Sequence, residues 1–267
     1  MAGCAGFNLK AVVRRLGRLH PMFRHVLTGV FPRAFMAQRL VIHAIALKTA
    51  IHLIFCIKSG TFMKLYYSPG ACSLSPHIVL REAGLPFDLE RVDNKAKKTT
   101  SGTDFWSVNP KGMVPTLQLD DGQILTEGPA IVQYIADCRP ETGLMPAPGT
   151  MERYRVLEWL NFVVAEIHKQ FTPLFKPDTP EDYKTIAKNN ILKAFALLDR
   201  HLAGKQYLLG DRFSVADAYL FVVLNWARLH KIDLAEWPNV KAFRERVAAR
   251  PMVHEAMKAE GLIKPAA

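Results

Sequence analysis

Met63-Lys-Leu-Tyr-Tyr-Ser-Pro-Gly-Ala-Cys-Ser-Leu-Ser-Pro-His-Ile-Val-Leu-Arg-Glu-Ala-Gly84 is the stretch on which the reading of this chain turns. Residues 64–67 carry a short strand signal, and Ser68-Pro69-Gly70 is a turn. Ser75 then offers an N-cap and Pro76 suits the first helical position. Gly84 closes a helix that holds Ile78, Val79 and Leu80. Cys72 falls just ahead of this helix, where unpaired N–H groups and aligned peptide dipoles favour an anion. Such a setting lowers a thiol pKa and yields a nucleophilic thiolate. The same cysteine also fits a small buried hydrophobe. Cys72-Ser-Leu-Ser75 ends in a serine where a C-x-x-C couple has its second thiol, which argues against an internal dithiol couple and leaves pairing with an external thiol open.

Working outward, residues 87–92 read as a second strand, and 94–108, with Lys95, Lys97 and Lys98, as a polar loop with a short helix. Residues 116–119, the turn Asp120-Asp121-Gly122 and residues 123–125 make a hairpin. Ile131, Tyr134, Ile135 and Cys138 repeat at helical spacing over residues 129–138. The order is β-α-β-α-β-β-α, with four strands. Residues 139–149 hold three prolines and two glycines and read as a linker. From Met151 the pattern is all helical. Leu157, Leu160, Val164, Ile167 and Phe171 form one apolar stripe; Ile191, Phe195, Leu198 and Leu202 form another. Ser214 and Asp217 stand at the N-cap and third positions of a very apolar helix over residues 215–226, and a further helix follows Trp237-Pro238.

The net charge of +11 is unevenly spread: nine of the 35 Lys and Arg, and none of the 24 Asp and Glu, lie in residues 1–62. The rest of the chain is nearly neutral and lacks a basic stripe, so a nucleic-acid partner is not indicated. The basic, acid-free leader reads as a start assigned too early, Met63 being the true first residue. A targeting or membrane-surface leader and a structured arm are the other readings. Its apolar run 40–57 is short for a membrane span and carries Lys48 near its middle. We expect the leader to be disordered or to pack little on the rest of the chain, and no membrane association for residues 63–267. The four cysteines, Cys4, Cys56, Cys72 and Cys138, have no paired spacing, so neither a zinc site nor a disulfide framework is indicated. A reducing, cytoplasmic setting fits.

Three further places carry chemistry. Val114-Pro115 precedes a strand; with a cis bond, Val114 would offer its peptide N–H and C=O to an extended peptide, and with a trans bond it is an ordinary strand edge. Glu127-Gly128-Pro129 opens a helix whose N–H groups suit a carboxylate while Glu127 takes an ammonium, or is plain capping. Asn161, Ala165 and His168 share one helical face, which is a docking wall or solvated surface.

Taken together, these segments resemble the bacterial beta-class glutathione S-transferases. The resemblance rests on residues 63–73, Val108-Asn-Pro-Lys-Gly-Met-Val-Pro115, Leu125-Thr-Glu-Gly-Pro-Ala-Ile131, Glu158-Trp-Leu-Asn161, Glu166-Ile-His-Lys169, Phe171-Thr-Pro-Leu-Phe175 and Phe213-Ser-Val-Ala-Asp-Ala-Tyr-Leu-Phe221. It runs in order from Met63 to about Lys264 and leaves residues 1–62 unmatched. It implies a thioredoxin-like α/β domain at 63–143 with a mixed four-stranded sheet, an all-α domain at 150–267, and a homodimer. It implies glutathione as co-substrate, no permanently bound cofactor or metal, and a hydrophobic electrophile as acceptor. Cys72 would meet the glutathione sulfur and be able to form a mixed disulfide with it, with His168 close by and Tyr67 and Ser73 near. Val114, before a cis proline, would pair with the cysteinyl backbone. Glu127 and Gly128 would hold the γ-glutamyl end, and Lys97 the other end. Asn161, Ala165, Glu166 and Ile167 would contribute from the helical domain, partly to the neighbouring subunit's ligand. Ala165 stands where the family often has a small hydroxylic residue. The activity implied is conjugation of glutathione to electrophiles. Glutathione-dependent thiol exchange, peroxide reduction or reductive dehalogenation, and sequestration of hydrophobic compounds without turnover, are the alternatives.

Overall fold

Leu65 is fully buried and pairs with Leu89 on one side and Leu117 on the other, so the first strand is the middle of a sheet. A computed structural model of the chain describes residues 62–263; the expectations for the leader lie outside the described residues. Strand β1 (Met63–Tyr67) leads through a tight turn into α1 (Leu74–Glu82), which returns the chain to β2 (Phe87–Asp93), parallel to β1. A parallel pair needs such a crossover, and a nine-residue helix supplies it. After β3 (Lys98–Thr99) and the single turn α2 (Phe105–Val108), the hairpin β4 (Thr116–Gln118) and β5 (Ile124–Thr126) adds two antiparallel strands. The sheet order is β3-β2-β1-β4-β5. It has five strands rather than four: β3 is a two-residue edge pairing with β2, too short to leave a periodic trace in sequence. Helix α3 (Gly128–Asp137) comes next; Ile131, Ile135 and Cys138 are buried as the spacing predicts, Tyr134 is half-buried, and Val132 joins the buried face.

The α1 boundary differs from the expected one. The helix starts at Leu74 with Ser73 at its N-cap, and Pro76 lies in the first turn, not at its head. The chain is already wound before it: Leu74 N–H donates to Ala71 O at 3.0 Å and Ser75 N–H to Cys72 O at 3.1 Å. The Ser75 hydroxyl, expected to cap, donates to Cys72 O instead.

In the helical half, α4 (Met151–Phe162) passes through a π turn (Val163–His168) into α5 (Lys169–Phe175). The buried stripe is Val156, Leu160, Val163, Ile167 and Phe171. Leu157 and Val164, expected in it, sit at its margin, and Val164 lines the cavity that opens over Cys72. The 22-residue α6 (Glu181–Leu202) buries Ile191, Phe195, Leu198 and Leu202 as predicted. At the centre stands α7 (Val215–Asn225), whose residues 215–224 are all buried. The Ser214–Asp217 capping box is present: Asp217 accepts the Ser214 N–H at 2.8 Å, and its other oxygen accepts the Leu208 N–H at 2.8 Å. Two shorter helices, α8 (Pro238–Ala248) and α9 (Pro251–Ala259), close the order. No helix among the described residues is long and apolar enough to cross a membrane.

The end of α9 reaches back to the beginning of the fold. Glu260 and His77 are both fully buried, with Glu260 Oε1 2.9 Å from His77 Nδ1. Arg81 Nε donates to His77 Nε2 at 2.9 Å, which leaves the ring proton on Nδ1, pointed at the carboxylate. The other Glu260 oxygen accepts the Gly70 N–H at 2.9 Å, while Trp226 Nε1 donates to Gly70 O at 2.8 Å. Arg250 clamps Glu82 with two 2.8 Å bonds nearby.

Replacing Glu260 by Ala strands the His77 and Gly70 donors in a buried place. A lost acceptor costs about 1–3 kcal/mol per group, so urea denaturation is expected to show a loss of roughly 2–6 kcal/mol. An unchanged midpoint would contradict this account of the clamp.

Candidate active site

Everything at the site is arranged around the turn that precedes α1. Ser73 stitches that turn from below: its hydroxyl donates to Ser68 O at 3.2 Å and accepts the Ser68 N–H at 3.1 Å. With Gly70 held on both sides, the backbone presents Cys72 at the floor of a cavity of about 1010 Å³. The Val114–Pro115 peptide bond is cis, and the Cys72 thiol donates to Val114 O at 3.3 Å.

The thiol does not behave as its position before a helix led us to expect. Burial pushes the Cys72 pKa up to about 12; the N–H groups of Cys72 and Ser73 and the Lys169 charge pull the other way, and Glu127 adds to the rise. Desolvation outweighs the dipole because Cys72, half-buried at the cavity floor, has protein around most of its sulfur, where the charged form is poorly solvated. At neutral pH Cys72 is a thiol and a hydrogen-bond donor. Sequence spacing reports a nearby helix end but not the depth of the sulfur.

One side of the cavity is polar. Lys97, in a left-handed conformation (φ 54°), donates to Gly112 O at 2.7 Å and lies 5.8 Å from the Trp106 ring. A Cβ on Gly112 would stand 2.4 Å from that ring, so the close approach needs glycine. Glu127 also has positive φ (69°); Lys111 Nζ lies 2.7 Å from its carboxylate and bonds Thr126 Oγ1 at 3.0 Å. Gly128 begins α3, and a Cβ there would fall 2.6 Å from Tyr219. Five lysines (95, 97, 111, 169, 176) line the cavity against a single carboxylate, Glu127, so the space favours an anion.

The opposite wall comes from the helical half. His168, at the end of the π turn, lies 3.0 Å through Nδ1 from the Tyr219 hydroxyl and packs edge-on to Trp226, centroids 4.9 Å apart. Burial first, then Lys169, lowers its pKa to about 4, so the ring is neutral at pH 7. Burial likewise raises the Tyr219 pKa, keeping the phenol protonated. Beyond them Phe175, Trp226 and Leu229 form an apolar face.

The structure thus brings Cys72, His168, Lys97, Val114, Glu127 and Gly128 to one cavity. Tyr67 and Ser73 lie behind the turn and do not line it. Asn161, Ala165 and Glu166 are outside it and Ile167 is core; the π turn separates His168 from the face it was expected to share with Asn161 and Ala165. Reading the sequence missed Tyr219, Trp226, Lys111 and Lys169. Tyr219 had a signal: a phenol inside a wholly apolar helix must find a partner. The lysines had none. Among the described residues no group of three His, Cys, Asp or Glu could hold a metal ion.

Two family models match, "Glutathione S-transferase, N-terminal domain" over residues 70–138 and "Glutathione S-transferase, C-terminal domain" over residues 162–251. Among solved structures, a glutathione transferase from Methylococcus capsulatus is 60% identical, with a TM-score of 0.74, covering 75% of this chain and 100% of its own. A sphingomonad glutathione S-transferase complexed with glutathione is 50% identical, with a TM-score of 0.72 and the same coverage. A bacterial beta-class glutathione S-transferase from Sphingomonas chungbukensis is 48% identical, with a TM-score of 0.73, again covering 75% and 100%.

The raised thiol pKa has a direct readout. Alkylation of Cys72 by iodoacetamide in ligand-free protein, followed site by site by mass spectrometry, should be slow at pH 7. It should still be rising at pH 10, since the thiolate fraction grows tenfold per unit below the pKa. A plateau below pH 8 would mean a thiolate at neutral pH.

Proposed function

The chain belongs to the glutathione S-transferase family, and on that footing we propose that its cavity binds reduced glutathione and aims the thiol at a hydrophobic electrophile. The observation that carries this is the shared cavity: a lysine-rich side suited to an anionic peptide adjoins an apolar face suited to an acceptor, with Cys72 and Val114 at the junction. In this reading Lys97 takes the glycyl carboxylate. The N-terminus of α3 at Gly128 and the Glu127 carboxylate take the γ-glutamyl carboxylate and ammonium. Val114 pairs with the cysteinyl backbone as an added strand does. The Cys72 thiol, being protonated, donates to the glutathione sulfur and favours its anion. His168, neutral at pH 7, is able to accept the proton that sulfur releases. The sulfur then bonds to the electrophilic carbon, whose leaving group departs. Holding both reactants in one cavity contributes more than acidification of the thiol alone.

Burial of Cys72 weighs against the redox alternatives as the main activity, because disulfide exchange starts from a thiolate. A mixed disulfide with oxidised glutathione remains part of the proposal as a slow side reaction. We also propose a cytoplasmic homodimer that uses the exposed outer face of α4, where Met151 and Tyr154 are 65% and 57% accessible. Asn161, Ala165 and Glu166 would there reach the neighbour's glutathione, and residues 139–149 would join the two domains.

Retention on glutathione–agarose and turnover of 1-chloro-2,4-dinitrobenzene test the reading. Cys72→Ala is expected to keep at least roughly a tenth of the conjugation rate while losing the disulfide adduct. His168→Ala should lower kcat/KM by about 100-fold, the lower range for a group that handles a proton. A chain that neither binds the resin nor conjugates would end this reading, and loss of all conjugation in Cys72→Ala would make the cysteine itself the reacting group.

A further inference from the structure

Glutathione does not account for the charge of its own cavity. It brings two carboxylates and one ammonium, and the partners assigned to it are Lys97, Glu127 and the start of α3, with Lys95 beside Lys97 and Lys111 paired to Glu127. Two cations are left, and both stand on the other wall. Lys169 opens α5 and Lys176 caps its C-terminus, with Thr172 between them. At spacings of three, six and seven from Lys169, the residues Thr172, Phe175 and Lys176 share the face of α5 that lines the cavity. Among the described residues the lysine ion pairs are made by Lys111, Lys184 and Lys241, and neither Lys169 nor Lys176 has a carboxylate within reach. Two uncompensated ammonium groups beside one apolar face hold a standing positive field over the place an acceptor enters. That face is aromatic: the Phe175 and Trp226 rings meet at 86° with centroids 5.5 Å apart, and Leu229 lies exposed beside them.

We infer that the acceptor is a planar aromatic electrophile carrying a carboxylate. Its ring lies on Phe175 and Trp226, its carboxylate is held by Lys169, Thr172 and Lys176, and its reactive carbon is turned toward the glutathione sulfur. The inference rests on the conjugation reading. With an activated aryl chloride as probe, the sulfur forms the new bond to the ring carbon and chloride leaves with the electrons of the C–Cl bond. The thiol proton passes by way of His168 to solvent, and nothing is oxidised or reduced. Lys176 and Thr172 act here as specificity determinants. Lys169 lies close enough to lower the Cys72 and His168 pKa values as well.

The test compares 4-chloro-3-nitrobenzoate with its neutral counterpart 4-chloro-3-nitrobenzamide, using the full chain and saturating glutathione. Each kcat/KM is divided by the uncatalysed rate with free glutathione, which removes the different activation of the two rings. The benzoate is expected to lead by at least about fivefold at low salt, and the lead to shrink as sodium chloride is added. Lys176→Gln and Lys169→Gln should each cut the benzoate-to-amide ratio by about three- to tenfold, somewhat above what exposed ion pairs give because the cavity is partly apolar. Lys193→Gln, on the exposed side of α6, should leave the ratio as it is. A ratio near one, or lysine variants that slow both substrates alike, overturns the anionic acceptor while conjugation stands. Turnover of neither compound, together with failure to bind glutathione–agarose, overturns both.

Discussion

Gly70 is the residue on which the site hangs. Its N–H is taken by a buried carboxylate from the end of the chain and its C=O by an indole from the helical half, so the peptide groups before Cys72 are fixed from two directions. A turn bearing a positive φ has little rigidity of its own. Here it borrows rigidity from Glu260, and Glu260 is held by His77, which Arg81 orients in turn. The chemistry at the surface therefore stands on a polar network that is satisfied at each link, the condition under which such a network specifies one geometry.

The same burial that makes the turn rigid changes the cysteine. A helix end and a nearby lysine favour a thiolate, but withdrawal of the sulfur from water is the larger effect, and Cys72 keeps its proton. His168 loses its charge for the same reason. The site thus holds neutral donors and acceptors at its centre and fixed positive charge around them. That arrangement stabilises negative charge arriving on a ligand better than negative charge generated on the protein.

Much of this was legible in the sequence where the signal is local. The strand-turn-helix around Cys72, the hairpin, the capping box at Ser214 and Asp217 and the buried face of α6 come from spacing and turn chemistry, and the structure has them. The two-residue β3 was not readable because it has no period of its own. The winding of residues 71–73 rests on backbone bonds from Leu74 and Ser75 that no residue type marks in advance. The π turn at Val163–His168 leaves no mark in the sequence, where a regular helical repeat fits the same residues. Its effect was to part His168 from Asn161 and Ala165 and to send Val164 to the cavity. Tyr219 follows the capping residues of an apolar helix, and its place against Gly128 is set by packing between segments far apart in the chain. The depth of the sulfur, the fact that decided its charge, depends on the packing of distant segments.

The clamp on Gly70 has a consequence for how the protein is made. Its carboxylate is encoded 190 residues after the glycine it secures. On the ribosome the sheet and α1 are complete long before α9 has been synthesised, and domains generally take shape from the N-terminus as they emerge. The nascent chain therefore carries a sheet whose reactive turn is still unfastened, and His77 stays without its carboxylate. The site acquires its final shape only once Glu260 has been made and docked, so a polypeptide released before it folds around an unfinished centre.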